Sequence, residues 1–305
     1  MGFFESLGKG WTFIKAAFQM AGRERKLLSP AVYLVLISIL YWVGVVVAIV
    51  MADPVTNRWS NGTWALVSGG ATFVAFLIFY FFCAMMVNMI DVYLKGGKPS
   101  LGEGARDAGK NFFALFALAI ISTLVNMLTS ALRRDRGIAG RIVAGIVDAI
   151  WTTFTFLLLP VIIIEDASIG KALKRVREVH KGNLLLIGVG EVGVRGVANL
   201  IGFVCFLAVF GIIWLAATTL TGTAALVVAF VAGGTVFSLF AAFNIYIRMA
   251  YYTCLYVWAA ETEKARAAAE AGTPVNVKAP GPLGVALGPD WQPPIQSKGF
   301  WTSSM

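Results

Sequence analysis

Pro160–Asn183 reads PVIIIEDASIGKALKRVREVHKGN, and its two halves follow different patterns. The first half ends an apolar helix and then meets two acids, Glu165 and Asp166. The second half is a short basic amphipathic segment, and a new apolar run begins at Leu184. The hinge recurs in degenerate form. Ser6-Leu7-Gly8-Lys9-Gly10, Ser100-Leu101-Gly102-Glu103-Gly104 and Ser168-Ile169-Gly170-Lys171-Ala172 can be laid over one another. Residues four, seven and eleven places beyond the Leu or Ile also correspond: Trp11, Ile14 and Phe18, then Ala105, Ala108 and Phe112, then Leu173, Val176 and His180. That spacing marks one face of a helix. The pattern predicts an all-α membrane protein of six transmembrane helices. They would form three repeats, each an amphipathic interfacial helix followed by a membrane hairpin.

Composition agrees with a membrane chain. Of the 305 residues, 58% are hydrophobic and 13% charged, with a mean hydropathy of +0.78. A soluble domain is nearer half apolar and a quarter charged, so a soluble fold is excluded. A net charge of +9 would raise nucleic acid as a partner for a soluble protein. Here the basic residues lie mostly between apolar runs, where they set topology and meet anionic headgroups, and no nucleic-acid partner is expected. Cys83, Cys205 and Cys254 all fall inside apolar runs. They read as small core residues, not as disulfide partners. The first long apolar run starts near Pro30 and has the length of a span, which argues against a cleaved signal.

Taken in order, residues 1–29 form an amphipathic helix with Phe3, Phe4, Leu7, Trp11, Ile14 and Phe18 on one side. Such a helix suits the headgroup plane. Residues 30–270 hold the spans: Pro30–Ala52, Trp64–Leu94, Asn111–Leu132, Ile138–Ile164, Leu184 to about Ala217, and a sixth from near Ala224 that continues past Trp258. Amphipathic segments interrupt them at 100–110 and 168–182. Residues 271–305 are rich in Pro and Gly and predict an extended tail, with Trp291, Phe300 and Trp301 as anchors. Lys and Arg are concentrated in the ends and loops that share a side with the amphipathic segments. This predicts that both termini are cytoplasmic, although Arg133, Arg134, Arg136 and Arg141 run against the rule.

The layout resembles an uncharacterised family of bacterial six-span membrane proteins known only as a domain of unknown function. Pro160, Glu165 and Gly170-Lys171-Ala172-Leu173-Lys174 carry the likeness, together with the aromatic run Tyr251-Tyr252-Thr253-Cys254-Leu255-Tyr256. It extends over about residues 1–265. The resemblance implies fold, topology and a bacterial cytoplasmic membrane, but no activity.

Polar groups deep in a span are costly and are therefore candidate functional residues. Glu191, Arg195 and Asn199 share one face of the fifth span, and Asp148 of the fourth reaches a similar depth, so that Asp148 and Arg195 are placed to pair. Such a cluster fixes helix register or relays an ion. Glycines at 188, 190, 193, 196 and 202 favour close packing over a pore. Arg248 is expected to snorkel to the cytoplasmic interface or to meet Asp91, Glu165 or Asp166 there. Lys171, Lys174, Arg175, Arg177 and Lys181 are the candidate headgroup ligands, and the single histidine, His180, lies beside them. No metalloprotease, phosphate-loop or nucleophile motif is present, so no catalytic residue, metal or cofactor is expected. The sequence favours a non-enzymatic scaffold or lipid-organising protein bound to anionic lipid, in a homo-oligomer or a larger membrane complex. A transporter or channel built on Glu191, Arg195 and Asp148 is the alternative.

Overall fold

The computed structural model describes residues 3–52, 61–135, 137–180, 184–219, 223–268 and 277–288. Among these residues every regular element is helical. α1 (Phe3–Arg23) leads through a short 3-10 turn, Arg25–Leu28, into α2 (Ser29–Ala52) and then α3 (Asn61–Leu94). A short helix α4 (Leu101–Lys110) precedes α5 (Phe112–Asp135) and α6 (Gly137–Ile164). Another, α7 (Ile169–His180), precedes α8 (Leu184–Thr219) and α9 (Thr223–Ala268), and α10 (Gly281–Leu287) follows. Six helices, α2, α3, α5, α6, α8 and α9, are long and apolar enough to cross a membrane, each exceeding the roughly 20 residues that a span needs.

Two of these helices are too long for the bilayer alone. At about 1.5 Å per residue, α3 extends about 51 Å and α9 about 69 Å, against an apolar bilayer core of about 30 Å. The C-terminal parts of both are the most deeply buried. Cys83–Val87, Met89 and Ile90 on α3, and Tyr246 with Met249–Leu255 on α9, are at most 5% exposed. Short helices clad this end. Gly104 of α4 lies so near α3 that an added Cβ would be 3.3 Å from the Met85 carbonyl oxygen. Ala172 and Val176 of α7 are buried beside the end of α6. α10 inserts Pro282 and Leu283 against α1 and α9, and Trp258 Nε1 donates to the Val277 carbonyl at 2.9 Å. The core therefore sits at one end of the bundle. At the other end the helices present apolar side chains outward, and the most apolar windows of α2 and α8 are only 6% buried, against 50% for α6. Outward-facing apolar surface of that extent is what lipid requires.

The structure revises three details. α1 packs against protein through Phe13, Ile14, Ala17, Met20 and Ala21, while Trp11 and Phe18 stay exposed. Its small residues let the backbone close on α8, so the buried face is rotated away from Trp11 and Phe18. On α7 the buried positions are Ala172 and Val176, and Leu173 is exposed. In the tail, where the sequence predicts extended chain, residues 281–287 form a docked helix. Gly281 has φ +50°, and a Cβ there would lie 2.6 Å from Leu94 Cδ2. Trp291, Phe300 and Trp301 lie outside the described residues.

Candidate functional site

At the capped end, the turn between α6 and α7 gathers charges from four helices. Asp166 takes a left-handed conformation, φ +50°, and the Ala167 amide donates back to the Ile162 carbonyl at 3.1 Å, closing the helix end. Its carboxylate accepts from Lys110 and from Asn111 Nδ2 at 3.0 Å. Hydrogen bonds from Lys110 and Asn111 hold the Asp166 carboxyl below the usual range. Asn88 Nδ2 donates to Asp107 at 3.1 Å, although burial pushes the Asp107 carboxyl up. Nearby, Arg175 donates to Glu165 at 2.9 Å and to Glu263 at 3.0 Å. The bond to Glu263, with that to Glu165 behind it, raises the guanidinium above its ordinary value. Tyr256 donates its hydroxyl to Glu165 as well. α6, α7 and α9 are thus joined through one arginine.

Two of the predicted groupings change. Arg175 stands apart from the other candidate headgroup residues, because its planar donors are engaged by two carboxylates within the protein. Lys171, Lys174 and Arg177 remain exposed on the outer face of α7. His180's side chain and Lys181 lie outside the described residues. Asp91, Glu165 and Asp166 do lie at the capped end, but Asp91 binds Lys95 at 2.6 Å and the other two bind the partners above. Arg248 does not join them. Its guanidinium carbon lies 5.9 Å from the centre of the Phe156 ring, and Phe156 stands about 12 Å inward from the α6 end at Ile164.

Arg248 borders two intramembrane cavities. The first, about 410 Å³, lies among α3, α5, α6 and α9. Its wall carries a hydroxyl pair, Tyr80 and Ser122 at 2.6 Å, and Trp151 Nε1 donates to the same Ser122 at 3.0 Å. Asn126, Thr152, Thr155 and Asp148 complete the polar lining. Asp148 pairs with Arg133 from the neighbouring helix of its own hairpin. The side chains of Glu191 and Arg195 lie outside the described residues. The second cavity is a crevice of about 700 Å³, lined by Asn199, Asn244, Arg248 and a set of phenylalanines from α8 and α9. The Tyr80–Ser122–Trp151 group and the crevice were not singled out from sequence. Each spans helices far apart in the chain, which no spacing along the sequence brings together.

Together, the six apolar helices and the charged sites at one end define an all-α integral membrane protein. Within that class the chain belongs to a family of unknown function, DUF6159, whose model matches residues 71–266. The match takes in α4–α8 and most of α3 and α9. No curated protein and no solved structure matches the chain significantly.

Proposed function

We propose that this is a non-enzymatic membrane protein that organises anionic lipid, and the assemblies around it, at one bilayer face. One observation carries the proposal: α4, α7 and α10 share a single dense core with α1 and the ends of α3 and α9, while α7 turns Lys171, Lys174 and Arg177 outward. The order of one helix that is not a candidate span, α1, α4 or α7, before each pair of candidate spans supports the threefold repeat. A cytoplasmic cap is the placement that the charge distribution favours. Each basic residue near an anionic surface contributes roughly 1 kcal/mol at modest salt. The full-length protein in nanodiscs is therefore expected to melt at a higher temperature with anionic than with neutral lipid. The triple variant K171Q/K174Q/R177Q should lose most of that difference and otherwise fold normally. A native protein indifferent to lipid charge would overturn the proposal. Transport is the second reading, favoured by the position of Arg248 midway along the Val231–Ala265 span beside two cavities. Arg248-dependent anion flux into proteoliposomes would establish it.

A further inference from the structure

The cavity of about 410 Å³ among α3, α5, α6 and α9 lies at mid-span, away from the basic face of α7, and so goes beyond the lipid-organising role just proposed. Trp151 stands midway along α6, and Ser122 near the middle of α5. Three buried hydroxyls meet in its wall: Tyr80, Ser122 and Thr155 are 2%, 1% and 4% exposed. Their protons can be counted. The indole N–H of Trp151 donates to Ser122 at 3.0 Å, and one hydroxyl proton bridges Tyr80 and Ser122 at 2.6 Å. The other two hydroxyl protons are left over. On the same helix Thr153 donates to the carbonyl one turn back at 3.0 Å, the usual outlet for a helical threonine. Thr155 Oγ1 has no such bond and no other hydrogen-bond partner, although it lies near Tyr80. Even a bond between those two would leave one proton in need of an acceptor. Buried polar groups are satisfied as a rule, so this wall is built to donate.

We propose that this cavity binds the head of an isoprenoid quinone from the surrounding bilayer. A quinone ring carries two carbonyl oxygens that accept hydrogen bonds and cannot donate, which matches the surplus of donors. Thr155, or Tyr80 beside it, would donate to one carbonyl. Asn126 lines the same cavity, one turn and so about 6 Å from Ser122 along α5, and its amide can donate to the other. The aromatic walls select a flat head. Phe76 stacks on Tyr80 with centroids 5.9 Å apart, Phe79 meets Phe156 edge-on at 6.2 Å, and Trp151 adds a fifth ring. The volume is near the lower end for a small-molecule site, with room for a ring but not for a whole lipid, so the tail must lie outside. Val125, Asn126, Trp151 and Thr152 are half-buried in the lining, and the same helices carry exposed Leu128, Ile146 and Ile150. A polyprenyl chain therefore passes from the cavity into apolar surroundings. Depth argues against a glycerolipid, whose ester carbonyls are tied to the headgroup region, whereas an uncharged quinone travels in the apolar core. Charge plays no part in the site: Asp148 is paired with Arg133, and no ligand atom is assigned to Arg248.

The test uses the full-length protein in neutral phosphatidylcholine nanodiscs with a photoreactive azido-quinone that carries a decyl tail. Labelling is expected in the peptides of α3, α5 and α6 that carry Tyr80, Ser122 and Thr155. Unlabelled decylubiquinone should compete about tenfold or more better than decylbenzene, which has the ring and tail without the carbonyls. T155V keeps the side-chain shape and removes a buried hydroxyl that has no partner. It should therefore melt no lower than the native protein in quinone-free discs, yet lose about fivefold or more in quinone affinity. T155S, which restores the hydroxyl, should recover binding. If T155V does not fold, N126L, at a half-buried position, decides the matter by the same loss. Equal competition by decylbenzene, undiminished labelling of both T155V and N126L, or displacement by dioctanoylglycerol as effective as by decylubiquinone would each overturn the proposal. So would labelling spread evenly over the lipid-facing helices, which would leave only water as the acceptor in the cavity. None of these results bears on the lipid-charge dependence of melting, so the two proposals fail separately.

Discussion

Phe13→Ala is expected to cost about 3–5 kcal/mol, the range for emptying a fully buried aromatic site, whereas Trp11→Ala should cost well under 1 kcal/mol, as for other exposed positions. The two aromatics are neighbours on one helix and differ only in direction. Phe13 is 0% exposed and Trp11 is 57% exposed. The Phe13 ring meets Tyr251 edge-on with centroids 5.5 Å apart, and one turn further along, the Tyr246 hydroxyl donates to the Ala17 carbonyl at 3.2 Å. α1 is thus fastened to the middle of α9 by a ring contact and a buried hydrogen bond. Loosening it should expose Cys254, which is fully buried where α9 meets α10. The rate of thiol labelling at Cys254, in a Cys205→Ser background because Cys205 is partly accessible, is a direct readout. Labelling should accelerate by two orders of magnitude or more in Phe13→Ala, since about 1.4 kcal/mol is a factor of ten. If α1 instead lay on the membrane through its Trp11 and Phe18 face, the order of the two variants would reverse.

The membrane class was legible because it depends on length and composition, which do not need a partner to be known. The reading of Trp64–Leu94 and Ile138–Ile164 as spans differs from the structural bounds Gly62–Leu94 and Gly137–Ile164 by one or two residues. The hinge was legible for a similar reason. Glu165 and Asp166 end the apolar run, and α7 then occupies Ile169–His180. Rotation about a helix axis was not. Hydrophobic size pointed to the Trp11 and Phe18 face as the one that α1 lays on the membrane, but the face that packs on protein is made of Gly10, Phe13, Ala17 and Ala21, where small residues allow close approach. Charge was equally ambiguous. Arg175 looked like one basic residue among several until Glu263, distant in sequence, arrived beside it. Arg248 illustrates the same limit from the opposite side. Its depth along α9 was countable, but the neighbours that make it a site, Phe156, Asn199 and Asn244, come from three different helices.

Gly10→Ala should be the most damaging methyl that can be added to α1. A Cβ at Gly10 would lie 2.4 Å from the carbonyl carbon and oxygen of Gly193 and 2.9 Å from the Val194 nitrogen. These are backbone atoms of α8, which cannot turn aside as a side chain can. The helices must separate, and overpacking of that kind costs about 1–3 kcal/mol and sometimes more. The same helix contains its own control. Gly8 and Gly22 have nothing within 4 Å of a built Cβ, and Ala is the better helix former by about 1 kcal/mol in a helix interior. Gly22→Ala, near the C-terminus, should therefore be neutral or slightly stabilising. Gly8→Ala should behave likewise, while Gly10→Ala lowers the melting temperature and speeds proteolysis before α2. The sign change across the series is the informative quantity. Three substitutions of equal chemistry on one helix differ only in what the new methyl meets. A uniform gain in stability would mean that α1 and α8 do not cross at Gly10 and Gly193. A uniform loss would mean instead that flexibility of α1, and not its close approach to α8, is what the glycines provide.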